Sequence, residues 1–194
     1  MNICIFGDSI TEGYYDEEKG GWVNRVKEKL NGDKIYNFGI SGDTTEDLLG
    51  RFYSDINNKN PDMNIFAIGV NDSEFSQKEK RNLVDFNKFK ENISRLIEKS
   101  KKFTKNIIFI GLVSVDEIRV SPIPWNLNWH YLDKDVEKYD RAIKEICDSK
   151  NIKFIDIYNE MKKVDYEKLL SDGIHPNSEG HKWIAEKVIK ELNF

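Results

Sequence analysis

The chain has 194 residues, enough for one domain (1–194) with a sizeable core. Its apolar and charged contents, 39% and 33%, are those of a globular enzyme. A net charge of −4 argues against a nucleic-acid partner, which needs a basic face, and no run of about 18 apolar residues could span a membrane.

The first strand candidate is Asn2–Phe6, from the string "NICIF". No basic segment precedes it and it stops at Asp8, so it does not read as a signal peptide. Cys4 lies in this strand and Cys147 in a helical pattern, each beside apolar neighbours. Both read as buried free thiols in a reducing compartment, which places the protein in the cytoplasm.

Further strand candidates are Lys34–Phe38, Met63–Ile68, Asn106–Leu112 and Ile152–Asp156. The strings "NIFAIG" and "NIIFIGL" are continuous apolar runs, as expected of parallel strands covered on both faces. Amphipathic helices alternate with them. Trp22, Val23, Val26 and Leu30 share one face, as do Leu48, Leu49, Phe52 and Ile56. Leu83, Phe86, Ile93 and Ile97 suggest a longer helix, followed by one carrying Val136, Tyr139, Ile143 and Ile146. The last carries Trp183, Ile184, Val188 and Leu192. This alternation predicts an α/β fold, an open parallel sheet of about five strands with helices on both faces. One segment breaks the rhythm: "VSVDEIRVSPIPWNLNWHYLDKD" has no period but is rich in proline and aromatic residues, as a functional loop would be.

Ligands of an open parallel sheet bind beyond the carboxyl ends of its strands. Asp8 and Ser9 follow the first strand, Ser41, Gly42 and Asp43 the second, and Asn71 and Asp72 the third. The string "SDGIHPNSEGH" lies between the fifth strand and the final helix. A serine, glycine amides, a carboxamide, an acid and a histidine therefore converge on one edge. That is the inventory of a serine hydrolase: nucleophile, oxyanion donors, base and orienter. Taken singly, each block also reads as a turn or a helix cap.

The blocks "FGDSITEG", "ISGDTT", "IGVND" and "DGIHP" occur in that order, and with them the chain resembles the GDSL or SGNH hydrolase family. The resemblance runs from Phe6 to the final helix. It implies a flavodoxin-like three-layer α/β/α sandwich, no cofactor, and hydrolysis of a small-molecule ester or thioester. It also implies that Ser9 is the nucleophile, that Gly42 and Asn71 join the Ser9 amide as oxyanion donors, and that Asp172 orients His175 as the base. The residues fit these roles. Gly42 offers a backbone N–H unshielded by a side chain, Asn71 a neutral donor, and Asp172 lies three residues from His175, within reach of one turn. Pro176 is expected to start the last helix and so stiffen the base's mount.

Asp8 and Asp72 read as supporting loop residues, and His181 as a surface or packing residue of the last helix. No ligand spacing of a known metal site occurs, so none is expected. Trp125, Trp129, His130 and Tyr131 are candidates for the substrate pocket, where they would suit a sugar ring or a short acyl chain. For His130, packing Trp125 and Trp129 onto the sheet edge is an equal alternative. The same scaffold could also serve a flavin-binding electron carrier, a non-catalytic binding module or an acyltransferase. Asp8 and Glu12 beside the first loop would repel a flavin phosphate.

Overall fold

A computed structural model describes residues 1–30 and 32–192. Five parallel strands form the main sheet: β1 (Asn2–Gly7), β2 (Lys34–Gly39), β3 (Met63–Ala67), β6 (Ile107–Ile110) and β8 (Lys153–Ile155). Their order, β2-β1-β3-β6-β8, is that of a flavodoxin-like doubly wound sheet. Helix α2 (Trp22–Lys29) packs on α8 (Ser178–Leu192). On other neighbours, α3 (Thr45–Ile56) packs on α4 (Phe86–Ser100), and α4 on α6 (Asp133–Ser149). The strands are the expected five, their ends shifted by at most two residues.

A row of aromatic rings crosses the sheet. In the parallel register Phe6 pairs with Phe38 and Phe66, and Phe66 with Phe109. The ring centroids are 5.2, 5.2 and 4.9 Å apart, and Phe52 of α3 closes over Phe6 at 5.1 Å. Phe6, Phe52, Phe66 and Phe109 are fully buried, so truncating any one to alanine costs about 3–5 kcal/mol. Because all pairings in this sheet are parallel, the carboxyl ends of its strands lie along one edge.

Those ends are shaped by glycine. A Cβ on Gly7 would lie 2.1 Å from Thr11 Oγ1, and one on Gly39 2.1 Å from the backbone N of Glu12. The one-turn helix α1 (Ser9–Glu12) can therefore lie directly on the ends of β1 and β2. Asp8 caps it, accepting from Ile10 N–H at 3.0 Å, and Gly13 ends it in the left-handed region at φ 107°.

Two departures from the sequence reading have local causes. Helix α4 begins at Phe86, because the Asp85 side chain accepts from Asn87 and Lys88 N–H and caps it there; Leu83 lies outside. The aperiodic segment contains the one-turn helix α5 (Glu117–Val120) and β7 (Trp129–His130). β7 pairs antiparallel with β4 (Phe75–Ser76), which pairs with β5 (Arg81–Asn82), in a small second sheet. Beyond β8 come the one-turn helix α7 (Tyr158–Met161) and a 3₁₀ turn at Tyr166–Leu169. No described helix is long and apolar enough to cross a membrane.

Candidate active site

Ser9 is the first residue of α1, immediately beyond β1, with its side chain nearly buried. Its Oγ lies 2.9 Å from His175 Nε2, although 166 residues separate them. His175 sits on the loop before α8, and its Nδ1 lies 2.7 Å from Asp172 Oδ2. The other carboxylate oxygen, Oδ1, accepts from Ile174 N–H at 3.0 Å and His175 N–H at 2.9 Å. One carboxylate thus folds the turn that carries the histidine and grips its ring. Burial works to raise the Asp172 pKa, but the hydrogen bonds from the His175 ring and backbone outweigh it and hold the carboxyl below its ordinary value. An ionised Asp172 requires the proton on Nδ1, which leaves Nε2 as acceptor for the Ser9 hydroxyl.

The mount of His175 is not built as expected. Helix α8 starts at Ser178, and Asn177 caps it, accepting from Gly180 N–H at 3.0 Å. Pro176 precedes that cap. Its loop is held instead by Ser171 N–H donating to His175 O at 2.8 Å and Asn177 N–H donating to Leu169 O at 2.9 Å.

Gly42 and Asn71 face the same cleft as Ser9. Gly42 takes φ 84°, which favours glycine, and a Cβ there would meet nothing within 4 Å, so conformation and not crowding selects it. Its N–H donates to no acceptor among the described residues. The neighbouring Ser41 is anchored by Glu12, whose Oε2 accepts from Ser41 N–H at 2.8 Å and Ser41 Oγ at 2.6 Å. Arg51 anchors the other side. It donates to Asp43 Oδ2 at 2.6 Å and to the Gly7 and Phe38 carbonyls at 3.1 and 2.8 Å.

Asn71 opens the 3₁₀ turn Asn71–Ser73. Its Nδ2 donates to Asp43 O at 2.9 Å, and its Oδ1 accepts from the buried Tyr131 hydroxyl at 3.0 Å. The amide has a second hydrogen to give. Asp72 is buried beneath, where Thr45 donates both N–H and hydroxyl to it. Burial pushes both Asp8 and Asp72 up to about 7, against the hydrogen bonds from Ile10 and Thr45 respectively.

The cleft has a volume of about 430 Å³, ample for a small ester. Tyr131 and Trp125 line it. Trp129 and His130 do not: β7 holds them in the second sheet, with Trp129 packed against the core and His130 Nδ1 2.9 Å from Ser121 Oγ. His181 is buried, and both its nitrogens are engaged. Nδ1 accepts from Trp22 N–H at 3.2 Å and Nε2 donates to Tyr14 O at 2.9 Å, leaving no lone pair for a metal. The sequence reading did not single out Arg51, Glu74, Tyr14 or Tyr15, and took Glu12 only as a charge beside the first loop. The rings of Tyr14 and Tyr15 pack 5.2 and 5.5 Å from that of His175. Only the "DSITEG" string, which places Glu12 one helical turn beyond Ser9, hinted at any of them.

A hydroxyl, an imidazole and a carboxylate in line, beside free N–H donors, can attack an acyl carbon and stabilise the oxyanion that forms. Residues 5–183 match the GDSL-like Lipase/Acylhydrolase family. An acetylxylan esterase of Geobacillus stearothermophilus is 27% identical, covering 99% of this chain and 94% of its own. An arylesterase of Vibrio mimicus is 26% identical, covering 98% of this chain and 87% of its own. The solved lipase/acylhydrolase from Enterococcus faecalis has a TM-score of 0.83 at 26% identity, covering 98% of this chain and 94% of that one. Solved structures of the Geobacillus esterase include catalytic mutants in which a histidine, an aspartate or a serine is replaced by alanine. A match that spans most of the chain, with esterase relatives and a shared fold, leads to one conclusion: the chain belongs to the GDSL-like Lipase/Acylhydrolase family and is an enzyme that hydrolyses esters.

Proposed function

We propose that this enzyme hydrolyses short-acyl carboxylic esters through an acyl-enzyme on Ser9. The observation that carries the reading is the continuous chain from Ser9 Oγ through the His175 ring to Asp172, at 2.9 and 2.7 Å, on the wall of a cleft that Gly42 and Asn71 share.

In the proposed mechanism, His175 Nε2 takes the Ser9 proton as Oγ adds to the ester carbonyl. The imidazolium that forms is stabilised by the ionised Asp172 on its other face. Negative charge collects on the carbonyl oxygen, where the N–H groups of Ser9 and Gly42 and the free hydrogen of Asn71 Nδ2 meet it. His175 then returns its proton to the departing alcohol oxygen. Water repeats the sequence on the acyl-enzyme, giving the carboxylic acid and free Ser9. The substrate is a small ester, in keeping with the names of the acetylxylan esterase and arylesterase relatives.

The test is hydrolysis of 4-nitrophenyl acetate together with labelling by a fluorophosphonate. Turnover should vanish in Ser9→Ala, and peptide mapping should place the label on Ser9 alone. A label on Ser41, or turnover that survives Ser9→Ala, would overturn the proposal.

A further inference from the structure

Glu74 lines the same cleft, three residues beyond Asn71 on the far side of the 3₁₀ turn. Its backbone is pinned at both ends: its N–H donates to Asn71 O at 3.2 Å, and its carbonyl accepts from Leu83 N–H at 2.7 Å. Its carboxyl, by contrast, has no hydrogen-bond donor among the described residues, and burial alone pushes it up to about 7. The nearby Tyr131 hydroxyl is already committed to Asn71. The other acids around the cleft have partners: Asp172 holds His175, Asp43 holds Arg51, and Asp8 caps α1. Among the described residues no lysine or arginine lines the cleft, so an anionic substrate would find no lysine or arginine counter-charge there. At the rim, Trp125 is 62% exposed and offers a flat ring to whatever occupies the cleft.

A half-buried carboxylate on a fixed backbone, with no protein donor to compete, is open to hydroxyl donors of whatever occupies the cleft. An exposed indole beside it suits the apolar face of a sugar ring, which presents hydroxyls around its edge. Resting on the esterase reading above, we propose that Glu74 determines specificity: it accepts hydrogen bonds from the free hydroxyls of a neutral, partly acylated sugar laid against Trp125, and it repels anionic esters. A site built to pair with a hydroxyl discriminates strongly against the analogue that lacks it.

Glu74→Gln preserves shape and removes the charge, and Glu74→Asp withdraws it by one methylene. At pH 8, above the raised Glu74 value of about 7, where the carboxylate is ionised, two ratios of kcat/KM read the effect. The first compares a mono-O-acetylated methyl xyloside with the fully acetylated xyloside, which has no free hydroxyl. In Glu74→Gln this ratio should fall about 10-fold, through KM and not kcat, the loss expected for one charge-assisted hydrogen bond. The second compares anionic esters, 4-nitrophenyl hemisuccinate and 4-acetoxybenzoate, with 4-nitrophenyl acetate. For at least one of them this ratio should rise several-fold, and the one that responds tells whether Glu74 faces the acyl or the alcohol side. Glu74→Asp should fall between wild type and Glu74→Gln on both ratios. Movement in these opposite directions is not something general damage to the fold would produce. If either ratio stays within twofold while Ser9-dependent turnover of 4-nitrophenyl acetate is intact, the Glu74 assignment is overturned and the esterase reading survives. Absence of Ser9-dependent turnover on every ester would overturn both.

Discussion

Tyr131 donates its hydroxyl hydrogen to Asn71 Oδ1 across 3.0 Å, and by doing so decides which way the Asn71 amide faces. Burial first, and then the nearby acids Glu74, Asp8, Asp172 and Asp72, raise the Tyr131 pKa well above 10, so the hydroxyl remains a donor at every working pH. With the amide oxygen held on Tyr131 and one amide hydrogen on Asp43 O, the second hydrogen is left for the cleft. Tyr131→Phe should therefore lower kcat by about 10-fold with little change in KM, because in the proposed mechanism it disorders an oxyanion donor without removing it. Asn71→Ala should lower kcat by about 10²–10³. The double variant should be no worse than Asn71→Ala alone. Additive losses measured in that cycle would show that Tyr131 acts on the substrate directly.

Asp172 does two jobs with separate oxygens, and two substitutions separate them. Asp172→Asn keeps an oxygen for the Ile174 and His175 N–H groups but offers an amide to His175 Nδ1, which favours the wrong tautomer. Its kcat should fall by roughly 10³–10⁴ while its thermal midpoint moves little. Asp172→Ala loses the turn as well, so its midpoint should drop along with its activity. Equal midpoints for the two variants, measured by calorimetry, would mean that the turn stands without the carboxylate.

His181 tests whether the second histidine near the site has any chemical role. It ties α2 to the Tyr14 carbonyl, and the Tyr14 and Tyr15 rings in turn pack on His175. His181→Ala leaves a cavity and a buried N–H at Trp22 without its acceptor, and should cost about 2–4 kcal/mol of stability. The folded variant should still turn over ester, and chelators should not affect it. Burial foremost lowers the His181 pKa, so the folded state binds this proton less readily than the unfolded chain. Its contribution is thus full above the unfolded value of about 6.5 and is lost as pH falls below it. Urea titrations between pH 7 and 5 should show wild type losing more stability than His181→Ala. Parallel losses would assign the acid sensitivity to another group.

Much of this architecture is legible along the chain, and its illegible parts share a cause. β1, β3 and β6 are covered on both faces, so they read as apolar runs, and the residues just past them were findable by position. Asp172 and His175 sit three residues apart, and their contact could be anticipated from the string alone. Glu12 and Ser41, Asn71 and Tyr131, and Arg51 and Gly7 are separated by 29, 60 and 44 residues and meet only because the sheet order brings their loops together. No local pattern announces such pairs. The second sheet escaped for another reason: strands of two residues have no period to detect. The spacing of Leu83 fits the α4 face, but the Asp85 cap sets the boundary three residues later.

Asp140 does not line the cleft and makes the pH dependence of stability testable apart from the catalytic residues. It is buried in α6, with Oδ1 accepting from Leu112 N–H at 2.8 Å. Burial above all pushes its carboxyl up to about 7; Asp156 and Glu137 add to the rise, and Lys144 opposes it. An unfolded aspartate titrates near ~3.9, so between that value and about 7 the folded chain holds a proton that the unfolded chain has released. Stability therefore falls as pH rises through this window, is complete below it and levels off above it. Asp8, Asp72 and Glu74, also raised to about 7, act in the same direction. Asp140→Asn keeps an oxygen for Leu112 N–H and removes one of the four titrations. Urea unfolding at pH 4.5 and pH 8 should show the variant gaining on wild type at the higher pH by roughly 1–3 kcal/mol, about one to two pKa units of linkage. A difference between variant and wild type that is the same at both values would mean that Asp140 is ionised in the folded protein throughout, stabilised by a partner other than Leu112.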